Sequence, residues 1–230
     1  MKRILMSLML AAMLLISVTA TADTVMKPIT AVEHTGSAQL GGQVFITELV
    51  NGKANLDAFV LIENASGSFK EYADGILVYG TANGVMGLIT LYARDPIAVR
   101  NREVVLYSGS GMIELDGRSL DDLAFVAEYS FTDSDHGAGL ARYMDIEIKD
   151  ANSPGAKKMS VKAKDIQKGN YSIIFIVYDQ KGQIVFADTE IMSSQHSIVS
   201  AYIEDREVEA IADAGSQLKN AAAILYTRTP

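Results

Sequence analysis

The sequence predicts an all-β protein of mainly antiparallel strands, built as a β-sandwich with a short C-terminal helical segment. Apolar and polar residues alternate with a period of two over several segments, which is typical of half-buried strands. Turn-forming residues separate these segments at short intervals. Of the 230 residues, 49% are hydrophobic, which is enough to bury a core, and the absence of Cys excludes disulfides and thiol chemistry.

The N-terminus has the layout of a secretory signal peptide, which we assign to residues 1–22. Met1–Arg3 is basic, Ile4–Val18 is apolar, and the small residues Ala20–Ala22 suit a peptidase that cleaves after Ala22. The apolar stretch is shorter than the roughly 20 residues that a spanning helix needs. We therefore expect export to the periplasm or the cell surface, and no transmembrane segment in the mature chain.

The charge balance excludes nucleic acid as a partner. The chain carries 20 basic and 28 acidic side chains, and loss of Lys2 and Arg3 with the signal peptide changes the formal net charge from −8 to −10. Such a balance repels phosphate backbones. The densest basic group spans residues 157–164, where alternation places the lysines on the solvent-exposed face of a strand.

The individual strands are predicted from the alternation of apolar and polar residues and from the turn residues between them. In Arg142–Lys149, for example, Met144, Ile146 and Ile148 occupy one face. Asn51-Gly52 and Asn83-Gly84 are short hairpin signals between apolar runs. Further strands are predicted at Gln43–Val50, Leu56–Asn64, Ile76–Gly80, Met86–Ala93, Val99–Tyr107, Ala124–Thr132, Lys158–Lys164 and Ser197–Ile203.

The segment from Ser108 to Gly111 is interpreted as a turn between a strand that ends at Tyr107 and another that begins at Met112. Its two serines and two glycines are residues that turns favour. A nucleophile elbow would need Gly two residues before and after a Ser, and Ser110 has Ser108 and Met112 at those positions.

Tyr171–Tyr178 is apolar on both faces, which predicts a central strand. Asp179–Gly182 supplies a turn and Gln183–Asp188 returns as the hairpin partner. The run 168–186, with Gly-x-Tyr before the strand and Asp-x-x-Gly after it, resembles the closing hairpin of secreted immunoglobulin-like modules. The resemblance implies immunoglobulin-like modules and no functional residue, and the Cys and Trp landmarks of antibody-type domains are absent.

The composition changes at residues 132–139, which contain no large apolar side chain. We therefore predict an N-terminal β domain at residues 23–132 and a C-terminal immunoglobulin-like domain with a helical tail at residues 140–230. The alternative is one large sandwich over residues 23–230, since sandwiches reach this length as one domain.

The C-terminal stretch departs from the period of two. Apolar or small residues recur there at intervals of three and four, which predicts a helix: Val208, Ile211, Gly215, Leu218, Ala222 and Leu225. Asp205 is the predicted N-cap. The alternative for residues 221–227 is an edge strand.

The sequence contains one metal signal and no complete catalytic motif. His34, His136 and His196 are isolated, so they lack the helical spacing of a zinc site. Asp133 and Asp135 precede Gly137 in the manner of an oxygen-rich calcium loop, although His136 replaces an expected Asp or Asn. We assign Asp133 and Asp135 as candidate calcium ligands, with contributions from a neighbouring loop: Asp116, Asp121 and Asp122.

These observations predict an exported, non-catalytic β-sandwich protein that acts as a structural, adhesive or assembly component of the cell envelope or surface. Its expected partner is a protein or a second copy, contacted through strand edges or the C-terminal segment. The alternative is a carboxylate-based hydrolase or a calcium-dependent glycan-binding protein. A cleft with two facing carboxylates would favour the alternative, and an open strand edge would favour the first function.

Overall fold

The structure is a computed structural model that describes residues 23–49, 51–139, 141–162, 169–193 and 198–228. The predicted signal peptide, His196 and Lys164 lie outside the described residues. Of the described residues, 66% are in strands, mostly antiparallel, and 6% are helical, which confirms the all-β class. No helix in the described ranges is both long and apolar enough to cross a membrane.

The first sheet contains nine described strands in the order β1-β3-β4-β8-β6-β5-β9-β2, with β7 beside β5. Their bounds are β1 Thr24–Pro28, β2 Thr30–Ala31, β3 Ser37–Leu49, β4 Lys53–Asn64, β5 Lys70–Thr81, β6 Gly84–Ala93, β7 Ala98–Val99, β8 Val104–Glu114 and β9 Ala124–Asp133. β1 and β2 are consecutive in sequence but lie at opposite ends of this order. The sheet is therefore curled, so that residues 24–31 connect its two ends.

The two hairpins that Asn-Gly sequences predict in this sheet are present. Asn51 and Gly52 connect β3 to β4 with φ angles of 74° and 70°, in the left-handed region that Asn and Gly favour. The hairpin between β5 and β6 is also present, but its turn residues are Ala82 and Asn83, one position before the predicted Asn83-Gly84. Both hairpins therefore form within one residue of their Asn-Gly signals.

The second sheet contains six described strands in the order β13-β12-β15-β10-β11-β14. Their bounds, with the single α-helix of the described residues, are β10 Arg142–Asp150, β11 Lys157–Lys162, β12 Asn170–Asp179, β13 Ile184–Ser193, β14 Ile198–Ile203, β15 Leu218–Thr227 and α1 Asp205–Asp213. β10 pairs with β15 through its first half and with β11 through its second half. The sandwich and immunoglobulin-like details stay predictions.

The hairpin of β12 and β13 matches its prediction. Residues 171–177 are all buried, as expected for a strand that is apolar on both faces. Asp179 accepts hydrogen bonds at Oδ1 from the N–H groups of Lys181 and Gln183, both at 2.8 Å. A carboxylate that accepts from the backbone two and four residues ahead closes the turn and explains its Asp-x-x-Gly sequence.

The prediction for the C-terminal helix is wrong beyond Asp213. Gly215 takes a φ of 73°, and the chain then forms β15, which lies between β12 and β10. Residues 218–227 are therefore an interior strand, neither a helix nor an edge strand. Residues 223–226 are all buried, so both faces are apolar and intervals of three and four do not distinguish a helix from such a strand.

The N-cap of α1 is Glu204, not the predicted Asp205, which is the first helical residue. The N–H of Glu204 donates to Glu207 Oε2 at 2.9 Å. Glu207 is the third helical residue, so this bond is half of a capping box. The prediction placed the start of the helix one residue too late.

The turn predicted at 108–111 is also wrong, because these residues are part of the continuous strand β8. A Cβ added at Gly109 would overlap the carbonyl oxygen of Thr90 on β6. Gly109 therefore permits the close approach of two strands and does not turn the chain.

The core has two parts, one enclosed by the curled first sheet and one between the two sheets. In the second part, the Phe186 ring lies 6.3 Å from the rings of both Phe45 and Phe59. The Tyr226 hydroxyl of β15 accepts from the N–H of Val104 on β8 at 3.1 Å. The two sheets are thus joined by apolar contacts and by a buried hydrogen bond, while the division into domains stays a prediction.

Candidate functional site: a cleft between the two sheets

A cleft of about 360 Å³ lies where the two sheets meet, and we call it the inter-sheet cleft. Strands β3, β4, β6 and β8 contribute from the first sheet, while β13, β14 and the start of α1 contribute from the second. Its lining residues are Phe45, Asp57, Ala58, Phe59, Tyr92, Arg94, Ser108, Gly109, Ser110, Phe186, Ala187, Asp188, Tyr202, Glu204, Arg206 and Glu207.

Strand periodicity places a ring and a carboxylate side by side on each wall. Asp57 and Phe59 are two residues apart on β4, and Phe186 and Asp188 are two apart on β13. Residues at this spacing point to the same face of a strand. Phe59 is only 3% exposed and Phe186 packs against the same core, so both rings belong to the wall between the sheets.

Arg206 organises one end of the cleft. Its guanidinium lies 3.1 Å from Asp57 Oδ2, 3.4 Å from Glu204 Oε2 and 3.3 Å from Glu207 Oε1. Burial raises the pKa of the Glu207 carboxyl, and the charge of Arg206 opposes this shift. Because three carboxylates share one guanidinium, this end is a charge network that holds the start of α1 against β4.

The other end contains a carboxylate and a guanidinium that are not in contact. Arg94 Nε donates to Ser108 Oγ at 2.7 Å, and its guanidinium carbon lies 5.5 Å from the centre of the Tyr92 ring. Asp188 accepts from the N–H of Thr189 at 2.8 Å and has no ion pair within 4.0 Å among the described residues. Burial raises the pKa of the Asp188 carboxyl, and the charge of Arg94 partly opposes that shift.

Two tyrosines flank the cleft. Tyr92 on β6 is 49% exposed and Tyr202 on β14 is 54% exposed, so one ring comes from each sheet. Lys158 Nζ lies 5.8 Å from the centre of the Tyr202 ring. The exposed rings provide flat apolar surface beside the polar groups of the cleft.

The predicted calcium ligands lie elsewhere. Asp133 ends β9 and accepts from Lys70 Nζ at 2.8 Å and from Ser68 Oγ at 3.1 Å. The hydrogen bond from Lys70 lowers the pKa of the Asp133 carboxyl, and both donors contact the same oxygen, Oδ1. Asp135 is exposed in the following loop. Calcium binding at Asp133 and Asp135 stays a prediction.

The structure does not gather further ligands around this loop. Among the described residues, no group of three or more His, Asp or Glu side chains is arranged to hold a metal ion, so Asp116, Asp121 and Asp122 do not complete a site. His34 makes an edge contact with the Tyr129 ring, with a centroid distance of 4.7 Å. His136 is exposed. Neither of the two described histidines therefore belongs to a group of side chains arranged to hold a metal ion.

Asp188 makes the stability of the protein depend on pH. Its raised pKa means that the folded state binds this proton more tightly than the unfolded state. As pH rises from about 3.9, the value for an unfolded Asp, through the raised pKa, the wild type should lose stability relative to Asp188→Asn. Thermal melting of both proteins from acidic to neutral pH measures this; parallel curves would contradict the shift.

The sequence was also compared with known proteins. It matches none of the family models and none of the curated proteins that were searched.

Proposed function

We propose that this protein is an exported, non-catalytic component of the cell envelope or surface that acts through its surface in structure, adhesion or assembly. The N-terminal layout of residues 1–22 supports export. The two joined sheets support a rigid body that presents its loops and edges to a partner. A protein or a second copy of the chain is the partner that we propose.

The observation that carries this proposal is the pairing of the carboxylates in the inter-sheet cleft. Asp57, Glu204 and Glu207 are held by Arg206, which leaves Asp188 as the described cleft carboxylate without an ion pair. Carboxylate-based hydrolysis of a glycoside uses two acids about 5–9.5 Å apart, one of which must be free to exchange protons. Groups committed to an arginine network suit binding and structure better than this chemistry.

Strand β14 supports a protein partner. It is the terminal strand in the order of the second sheet and pairs with β11. Ile198 on β14 is 55% exposed, and Ile191 on β13 is 59% exposed. A terminal strand with exposed apolar side chains can accept a strand from another chain.

Fractionation of cells that produce the full chain tests the proposal. We expect processed protein in the envelope or surface fraction, with a sedimentation size above that of one chain. Ile198→Lys should reduce that size, because a lysine on an edge strand opposes pairing. Met112→Lys, at a 60% exposed position on β8, is the matched control. Unprocessed protein in the cytosol, or a free monomer in the periplasm, would contradict the proposal.

A further inference from the structure

We propose that the inter-sheet cleft binds a neutral saccharide unit beside Tyr92 and Tyr202, with Asp188 and Arg94 as its polar contacts. This inference goes beyond the proposed function, because it assigns a saccharide site in addition to the protein partner.

The size and walls of the cleft suit a small polar ring. Its volume of about 360 Å³ lies near the lower end of the range of about 300–1,000 Å³ found for small-molecule sites. Tyr92 and Tyr202 come from different sheets and present about half of their surface to solvent. A sugar ring has an apolar C–H face and a polar rim, so it matches a tyrosine that has an apolar face and a hydroxyl tip.

Asp188 and Arg94 match a pair of neighbouring hydroxyls. Asp188 has acceptor capacity beyond its bond from Thr189, since a carboxylate has about four lone-pair sites. Arg94 uses Nε for Ser108, which leaves its Nη groups as donors. Each hydroxyl of a sugar both donates and accepts hydrogen bonds. Adjacent hydroxyls can therefore bridge the Asp188 carboxylate and the Arg94 guanidinium, which form no direct ion pair.

The charge of the cleft selects a neutral ligand. Four carboxylates and two guanidinium groups line it, and the whole chain has a formal net charge of −8. This excess of negative charge repels sulfated, phosphorylated or uronic saccharides. Because Asp188 and Arg94 supply the polar contacts, we expect saccharide binding that is independent of calcium.

Binding of neutral trisaccharides to the intact exported protein tests the site. Maltotriose, cellotriose, mannotriose and N,N′,N″-triacetylchitotriose are titrated in the presence of a chelator, with calorimetry and saturation-transfer NMR as readouts. We expect at least one to bind with a dissociation constant in the millimolar range or below. Tyr92→Ala, Tyr202→Ala and Asp188→Asn should each weaken that binding by about tenfold or more.

Two controls separate the site from general effects on folding. Tyr143→Ala removes a tyrosine that is 67% exposed but does not line the cleft, and Asp133→Asn removes a remote exposed carboxylate. Both should leave saccharide affinity unchanged. Melting temperatures show whether each cleft variant is folded, and the isosteric Asp188→Asn keeps the test valid if an alanine variant is unstable.

Three results would overturn the inference: no trisaccharide binds, binding is unaffected by the cleft variants, or the zwitterionic dipeptide alanyl-alanine binds the cleft in preference to every trisaccharide. These outcomes are distinct from failure of the proposed function. A surface-attached protein that binds no saccharide overturns only this inference. Cleavage of a bound trisaccharide would contradict the non-catalytic function but would leave the saccharide site in place.

Discussion

Replacement of Phe59 by Ala is expected to lower the free energy of unfolding by about 3–5 kcal/mol, the usual cost of deleting a buried aromatic ring. Phe59 is 3% exposed and lies between the sheets, where Phe186 is 6.3 Å away. Loss of the ring should leave a cavity in the part of the core that both sheets share. Chemical denaturation followed by far-UV circular dichroism measures the change.

The same experiment examines whether the two sheets unfold together. Because Phe59 belongs to one sheet and Phe186 to the other, we expect one transition that shifts as a whole. Leu88→Ala on β6 is the control, since Leu88 is 60% exposed and its truncation should change stability by about 0.5 kcal/mol or less. Two transitions, with only one displaced by Phe59→Ala, would show that the sheets are independent units.

Substitution of Gly109 by Ala is expected to destabilise the fold by about 1–3 kcal/mol, the range for an overpacked interior. The added Cβ would overlap the Thr90 carbonyl oxygen, which is a backbone atom and cannot rotate away. β6 must therefore move from β8, and the Tyr92–Ser108 pairing at the edge of the cleft should weaken. Thermal melting measures the destabilisation, and weaker trisaccharide binding would report the displaced Tyr92.

Gly169→Ala is the matched glycine control. A Cβ at Gly169 would lie 3.7 Å from the Tyr171 ring, an ordinary van der Waals contact. We expect this variant to melt within a few degrees of the wild type. A Gly109→Ala protein that is equally stable would show that β6 and β8 tolerate a wider separation than the structure has.

The strands were predictable because their information is local. Arg142–Lys149 alternates residue by residue, and Asn51-Gly52 is a turn signal that no distant contact has to create. The prediction for β15 is wrong because a strand buried on both faces does not alternate between polar and apolar residues. Its two edges are covered by β12 and β10. The glycines of β8 were misinterpreted for a related reason, since the carbonyl of Thr90 that requires Gly109 is distant in sequence.

The candidate site was less predictable than the fold. The pairs Asp57/Phe59 and Phe186/Asp188 are visible in the sequence, but only the packing of β4 against β13 brings them to one cleft. The candidate at Asp133 and Asp135 relied on a local loop pattern, whereas Lys70, which contacts Asp133, is 63 residues away. Local spacing identifies such residues, while their partners depend on tertiary structure.

The interior position of β15 has a consequence for biosynthesis. β10 and β12 have no partner between them until residues 218–227 have left the ribosome. At a translation rate of about 5–20 residues per second, β10 waits on the order of ten seconds for its neighbour. During that interval the nascent polypeptide cannot complete its second sheet.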